Sequence, residues 1–264
     1  MTIFGNCLSN KHSMGKFQDK NLTALVTGGS RGIGRAVSLR LAETCAQTVI
    51  VSYLQNDAEA EKTSELLKER NTHCILVQAN LAYPEEIDRL FELIKAKVEH
   101  IDILVHCAAL GVFKPLSEIK TNQWDLTMNV NARGFLLCVQ KAVPLMREGK
   151  IVALSSLGSK QVVPHYGAMG PTKAALESLV RYLAYELAPL GIQVNGVSAG
   201  LVQTDSVRKF PESDKYLEEV RLRTPQRRLG SPEDIADVVM FLVSPASRWI
   251  CGQVIVADGG FSLV

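Results

Sequence analysis

Seven short apolar runs recur along the chain, at residues 24–27, 48–52, 73–78, 101–106, 150–155, 193–197 and 253–256. They are rich in β-branched residues, and their apolar positions are continuous instead of alternating with polar ones. A strand of that kind is buried on both faces, as in a parallel sheet covered by helices above and below. Longer amphipathic stretches separate the runs, at 34–43, 58–69, 85–98, 123–146, 172–189 and 232–242. The helix from Pro84 carries Glu85 and Glu86 in its first turn, where the helix dipole favours acids. Ser231 stands as an N-cap before Pro232 at a first helical position. Strand–helix–strand succession demands crossovers, and those are right-handed. The expected fold is α/β, a doubly wound parallel sheet of about seven strands flanked by helices.

A chain of 264 residues holds one such domain with a sizeable core. No internal repeat or linker divides it. Residues 21–264 are therefore expected to form a single domain, and the polar, irregular residues 1–20 read as a flexible tail. That tail lacks the apolar core of a secretory signal. The 47% apolar fraction and the net charge of +2 fit an ordinary globular protein and do not suggest nucleic-acid binding. No apolar run approaches the roughly 20 residues of a membrane span. Six cysteines without a CxxC pair indicate neither a zinc site nor a disulfide framework, which points to a reducing, cytoplasmic compartment.

Segment 25–37, LVTGGSRGIGRAV, joins the first strand to the first helix. Gly28 allows a tight turn off the strand, Gly32 lets backbone approach a pyrophosphate, and Gly34 permits close packing of helix on sheet. The N–H groups of the helix start then face the phosphates. Three glycines alone are a weak signal. Between a strand and a helix at the head of a β-α series they mark a Rossmann-type dinucleotide site, with Ser30, Arg31 and Ile33 in the same loop. Preference for NAD usually needs an acid at the end of the second strand, to take the ribose 2′-hydroxyl. Segment 49–56, VIVSYLQN, offers none before Asp57, and Ser52 or Tyr53 stands in that place. Arg31 suits a 2′-phosphate, so the expected cofactor is NADPH; the alternative for Arg31 is a solvated loop arginine.

Segment 165–173, HYGAMGPTK, places six residues between Tyr166 and Lys173. Many nicotinamide-dependent reductases set a Tyr only four positions before a Lys. Here that position is Met169, which has no proton to give. Seven residues return an ideal helix to nearly the same face ~10 Å along its axis, against ~6 Å for four. Pro171 disfavours helical geometry at Gly170, so the regular helix is expected to begin at about 169–171 with Tyr166 in the lead-in turn.

TGGSRGIG, MNVNA, ALSSLGS, the Tyr166/Lys173 segment, VNGVSAG and VADGG follow one another in an order and spacing that resembles the short-chain dehydrogenase/reductase family, over the whole chain from Asn21. Pro164, Tyr166, Met169, Gly170 and Lys173 are similar to the enoyl-acyl-carrier-protein reductase branch, where six residues separate Tyr from Lys. Ser198-Ala199-Gly200 stands where most members have Pro-Gly, again as in many enoyl reductases. With Asn80 after the third strand and the Ser-Ser-Leu-Gly-Ser strand end, the chain most resembles the NADPH-dependent type III enoyl reductases of bacteria. The resemblance implies that Tyr166 is the proton donor. It implies that Lys173 lowers the Tyr pKa and holds the nicotinamide ribose. Ser156 sits where ketone reductases fix their substrate, and Asn131 matches an asparagine that binds a water in a proton relay, or else is a helix-kinking amide. Cofactor contacts are implied at the loop residues Gly28, Ser30, Arg31, Gly32, Ile33 and Gly34. Further contacts are implied at Ser52, Asn80, Leu81 and Ala108, and at Lys173, Gly200 and Thr204. A homotetramer is also implied. One departure stands out: the fourth strand ends His106-Cys107-Ala108-Ala109 where Asn-Asn-Ala-Gly or Asn-Asn-Ala-Ala is usual. A strand-end hydrogen bond is expected of His106.

Residues 204–229 read as a helical lid, with Phe210, Tyr216 and Leu217 positioned to line an acyl tunnel. Arg208, Lys209, Arg221, Arg223, Arg227 and Arg228 either dock an acidic acyl carrier protein or belong to a solvated helix in which Glu218 and Glu219 pair with Arg223. The expected activity is reduction of the carbon–carbon double bond of an enoyl thioester, linked to acyl carrier protein or CoA, in fatty-acid or polyketide synthesis. Hydride then goes to the β-carbon and charge develops on the thioester oxygen, so the donor must stand elsewhere than in a ketone reductase. The alternatives are a 3-oxoacyl-thioester or other carbonyl reductase and, from another class, a non-catalytic nucleotide-binding protein. No membrane partner is expected.

Overall fold

Each apolar run becomes a strand of one parallel sheet. The computed structural model describes residues 21–205 and 213–264; the tail 1–20 and the lid positions Arg208, Lys209 and Phe210 lie outside the described residues. In chain order the elements are β1 (Leu22–Thr27), α1 (Gly32–Thr44), β2 (Ala46–Tyr53), α2 (Asp57–Lys68), β3 (His73–Gln78), α3 (Pro84–Lys95) and β4 (Ile103–His106). They continue as α4 (Thr121–Met128), α5 (Gly134–Ala142), β5 (Gly149–Ser156), α6 (Met169–Leu187), β6 (Ile192–Ala199), α7 (Ser213–Arg223), α8 (Pro232–Val243) and β7 (Val254–Ala257). The strand order is β3-β2-β1-β4-β5-β6-β7, the doubly wound arrangement expected from the sequence. Its order reverses between β1 and β4, and the crevice beyond the strand ends at that point is where such sheets bind ligands.

Strand β1 shows why the runs are continuous. Leu25 packs into one layer with Leu90 and Phe91 of α3, Phe135 of α5 and Leu176 of α6. Its neighbours Ala24 and Val26 pack into the other, with Val37 and Leu41 of α1, Leu67 of α2 and Ile235 of α8. Full burial of a Leu or Ile contributes roughly 1.5–3 kcal/mol, so these layers, more than helix propensity, hold the helices in place. The N-cap expected at Ser231 is a capping box: Ser231 Oγ accepts from Asp234 N–H, and Asp234 accepts from Ser231 N–H. Arg228 beside Asp234 holds that carboxyl well below its ordinary range.

The stretch 123–146 departs from the single helix expected. It divides into α4, a π-type turn at Asn129–Arg133 and α5, and a tight turn at Val143–Leu145 ends it. At the widened turn Asn131 is fully buried and its amide is used outside the helix: Oδ1 accepts from Leu110 N–H at 2.8 Å, and Nδ2 reaches Leu110 O and Thr172 Oγ1, both at 3.0 Å. An extra residue in the turn lets the side chain tie together segments distant in sequence.

Candidate active site

The carboxyl ends of β1, β2, β4, β5 and β6 open into a cleft of about 900 Å³. It gathers almost every residue singled out from the sequence: Gly28, Ser30, Arg31, Gly32, Ile33 and Gly34 from the glycine loop, with Ser52, Asn80, Leu81 and Ala108 from the strand ends. Ser156, Tyr166, Lys173, Gly200 and Thr204 line it too. Asn131 does not; it lies behind the wall as the strut described above.

The glycine loop is shaped by close approach. Gly28 has φ +66°, and a Cβ there would stand 2.9 Å from the backbone of Ala108. A Cβ on Gly34 would meet Gly28 O at 2.1 Å, so its role is contact with the loop itself more than with the sheet. Gly32, at φ +53°, faces open space apart from Thr204, which leaves its backbone accessible to a ligand. At the end of β2, Ser52 is buried, and Tyr53 holds the Asp57 carboxylate by a side-chain hydrogen bond. Asp57 is not among the cleft residues. Arg35 is tied to Ser30 O, Thr63 and Glu59, whereas Arg31 is exposed at the rim. A dinucleotide fits this frame: bare backbone at Gly28 and Gly32, no free acid at the β2 end and a cation beside it. No group of His, Cys, Asp or Glu among the described residues is arranged to hold a metal.

Helix α6 starts at Met169, and Tyr166 sits in the turn before it. His165, immediately upstream, takes φ +59°, an uncommon backbone for a non-glycine residue and the kind of outlier found at functional sites. The Tyr166 ring packs across Gly158, where a Cβ would fall 2.5 Å from ring atoms, and stacks on Phe113 with centroids 6.2 Å apart. Burial pushes the Tyr166 pKa up, opposed by a hydrogen bond with Ser156 and reinforced by Tyr216. The sequence-based expectation was the reverse, a phenol lowered by Lys173, but desolvation outweighs any such effect. Lys173 is buried and its Nζ donates to Leu154 O at 2.6 Å. Burial pulls its pKa down to about 8, while Cys107 and Glu177 act the other way.

His106 is fully buried at the end of β4, with Nδ1 3.0 Å from Thr27 Oγ1, which is the strand-end hydrogen bond expected. Thr27 Oγ1 also accepts from Ala108 N–H. Burial and the Lys173 charge pull the imidazole down to about 3, so it stays neutral. Over the cleft, α7 contributes Tyr216, Glu219, Val220 and Arg223, but not Leu217, to the lining. Three of the cations singled out in the sequence are ion-paired: Arg221 with Glu218, Arg223 with Glu219 and Arg228 with Asp234. Arg227 donates to Leu222 O. Among the described residues the basic cluster is thus largely an ion-paired face.

Two features escaped sequence reasoning. Phe261, near the chain end, lines the cleft with Arg223 over its ring at 5.1 Å. Glu177 is a buried carboxylate on the sheet-facing side of α6. An acid four residues after Lys173 on an otherwise apolar helix face was the signal that marked it.

Comparison with known proteins agrees with this geometry. The family model described as "Enoyl-(Acyl carrier protein) reductase" matches residues 28–262. A 1-cyclohexenylcarbonyl-CoA reductase of Streptomyces collinus is 39% identical over 93% of this chain and 89% of its own. A 3-oxoacyl-acyl-carrier-protein reductase FabG of Staphylococcus epidermidis is 34% identical over 91% of this chain and 98% of its own. A short chain dehydrogenase from Burkholderia cenocepacia J2315, solved in complex with NADP, superposes with a TM-score of 0.86 at 31% identity, covering 92% of this chain and 98% of the other.

Proposed function

This chain belongs to the short-chain dehydrogenase/reductase family, and on that premise we propose that it reduces the carbon–carbon double bond of an enoyl thioester with NADPH. The cofactor is assigned by the glycine cradle, the Arg31 cation and the engagement of Asp57 by Tyr53. It would be held by Gly28 to Gly34 at its phosphates and by Lys173 in the cleft, and when bound it supplies the hydride. The observation that carries the alkene reading is the position of Tyr166 in the lead-in turn of α6, two turns ahead of Lys173, with Met169 in the nearer position and packed inward.

Tyr166 keeps its proton at neutral pH, because burial pushes its pKa above the ordinary value of 10.0. It is thereby a hydrogen-bond donor to the thioester oxygen as negative charge develops there. Ser156 orients the phenol, Gly158 backs its ring, and Lys173 places an ammonium nearby in a low-dielectric wall. Phe113, Leu110 and Tyr216 provide an apolar surface for the acyl group, and both acyl-carrier-protein and CoA thioesters suit it. Relatives named for a CoA thioester and for 3-oxoacyl-acyl-carrier-protein support thioester substrates of this kind, and the pathway proposed for this chain is fatty-acid or polyketide synthesis. Exposed Tyr182 and Tyr185 on α6 and the free edge at β7 support a homotetramer. No described helix is long and apolar enough to cross a membrane.

A second reading, reduction of a 3-oxoacyl thioester, is favoured by the Ser156 hydroxyl beside Tyr166, since two neighbouring hydroxyls can both donate to one ketone oxygen. Purified protein with NADPH and either crotonyl-CoA or acetoacetyl-CoA separates the two by the absorbance of the reduced cofactor. Crotonyl-dependent consumption is expected, and Tyr166→Phe should lower kcat about 100-fold or more while cofactor binding persists. Consumption with acetoacetyl-CoA alone overturns the alkene assignment in favour of the ketone. Consumption with neither points to the non-catalytic alternative.

A further inference from the structure

Glu177 stands one helical turn beyond Lys173 on the buried face of α6, and the chemistry above leaves it unused. Its side chain is almost fully buried. Two hydroxyls converge on one of its oxygens: Ser155 Oγ and Ser159 Oγ each donate to Oε1 at 2.6 Å. The second is reached across the tight turn Leu157–Ser159 that follows β5. Between those two serines lie Ser156, hydrogen-bonded to Tyr166, and Gly158, whose backbone packs against the Tyr166 ring. Leu154, the residue before Ser155, supplies the carbonyl that Lys173 Nζ holds. A single carboxylate on α6 therefore clamps both ends of the segment that seats the phenol. It is also the negative group on the same helix face as the buried ammonium.

We infer that Glu177 is a positioning residue of this site: its carboxylate fixes the Ser155–Ser159 turn beneath Tyr166 and balances the buried charge of Lys173. This rests on the roles proposed for Tyr166 and Lys173. A buried carboxylate is costly unless hydrogen-bonded and charge-compensated, and here Ser155 and Ser159 supply the hydrogen bonds and Lys173 the opposite charge. The groups facing Lys173 are Cys107 from the end of β4, His106 beside it and Glu177 on α6. His106 is held neutral, and burial pushes the Cys107 thiol up to about 12, which leaves Glu177 as the acid whose field favours the Lys173 ammonium.

The test is Glu177→Gln, which keeps the volume and one acceptor but removes the charge. Glu177→Asp and Ser159→Ala accompany it. The substrate is whichever of crotonyl-CoA or acetoacetyl-CoA the parent enzyme reduces, so failure of the alkene reading leaves this test intact. NADPH affinity, followed by its fluorescence, is measured over the same pH range and serves as the readout should neither substrate be reduced. In Glu177→Gln the alkaline limb should move to lower pH by about half a unit or more, with kcat down about tenfold and KM little changed. Glu177→Asp should restore the pH limb in part. Ser159→Ala should lower kcat but leave the pH limb in place, because the charge remains. A lower melting temperature with a pH profile superimposable on the parent's, in Glu177→Gln or, if that variant does not fold, in Glu177→Asp, would reduce Glu177 to an ordinary core group and overturn the inference.

Discussion

Lys173 carries its charge where solvent barely reaches, and pH acts on it in two opposite ways. Its pKa falls from the ordinary 10.5 to about 8 because burial penalises the ammonium. Below pH 8 the group is charged in both folded and unfolded chains, and the full cost of burying it is present. Between about 8 and 10.5 the unfolded chain binds the proton and the folded chain does not, so the Lys173 contribution to stability becomes more favourable as pH rises. Function runs the other way if the ammonium serves the site. The kcat/KM should fall as pH climbs through about 8, while the melting temperature does not fall in step. Tyr166 is pushed upward from its ordinary 10.0 and keeps its proton near pH 8, so a limb there belongs to Lys173. A pH–rate profile flat to pH 10 would show that the charge is not needed.

At the level of elements, the site depends on how closely the turn after β5 meets the turn before α6. A Cβ on Gly170 would lie 2.6 Å from Gly158 O, and one on Gly158 would lie 2.5 Å from the Tyr166 ring. Gly158 is not among the glycines with positive φ, so Gly158→Ala is tolerated by the backbone and acts by displacing the ring. Its kcat should drop about 10- to 100-fold with NADPH affinity retained; unchanged turnover would mean that the phenol need not sit there. Closeness of this kind is invisible in a sequence, which shows two glycines but not that they face each other. The strands were legible because burial on both faces leaves a continuous apolar run, and the start of α6 because Pro171 is tolerated in a first helical turn, although Gly170 before it is helical as well. The break between α4 and α5 was not, because the partners of Asn131 come from Leu110 and Thr172. Glu177 was visible as an acid on an apolar helix face, but its partners were not: only the fold brings Ser155 and Ser159 to it.

Across the whole molecule, the two core layers carry a sheet whose open edge of chemistry is the switch point, and cofactor binding there must stabilise the entire fold. A ligand that binds only the folded state at about 100 times its Kd adds about 2.7 kcal/mol, which for a domain of this size raises the melting temperature by roughly 5–10 °C. The choice between the two nicotinamide dinucleotides rests on a small part of that cleft. Tyr53 occupies the nearest acid, Asp57, and Arg35 is tied to Glu59 and Ser30, so Arg31 is the cation left at the rim for a 2′-phosphate. NADPH should therefore raise the melting temperature well above the value reached with the same concentration of NADH. Arg31→Ala should remove most of that difference, because a charge-assisted bidentate contact contributes more than a neutral hydrogen bond. The variant should melt like the parent without ligand, since Arg31 is exposed. Equal shifts with the two dinucleotides in the parent would mean that the cleft does not discriminate between them and would overturn the role given to Arg31.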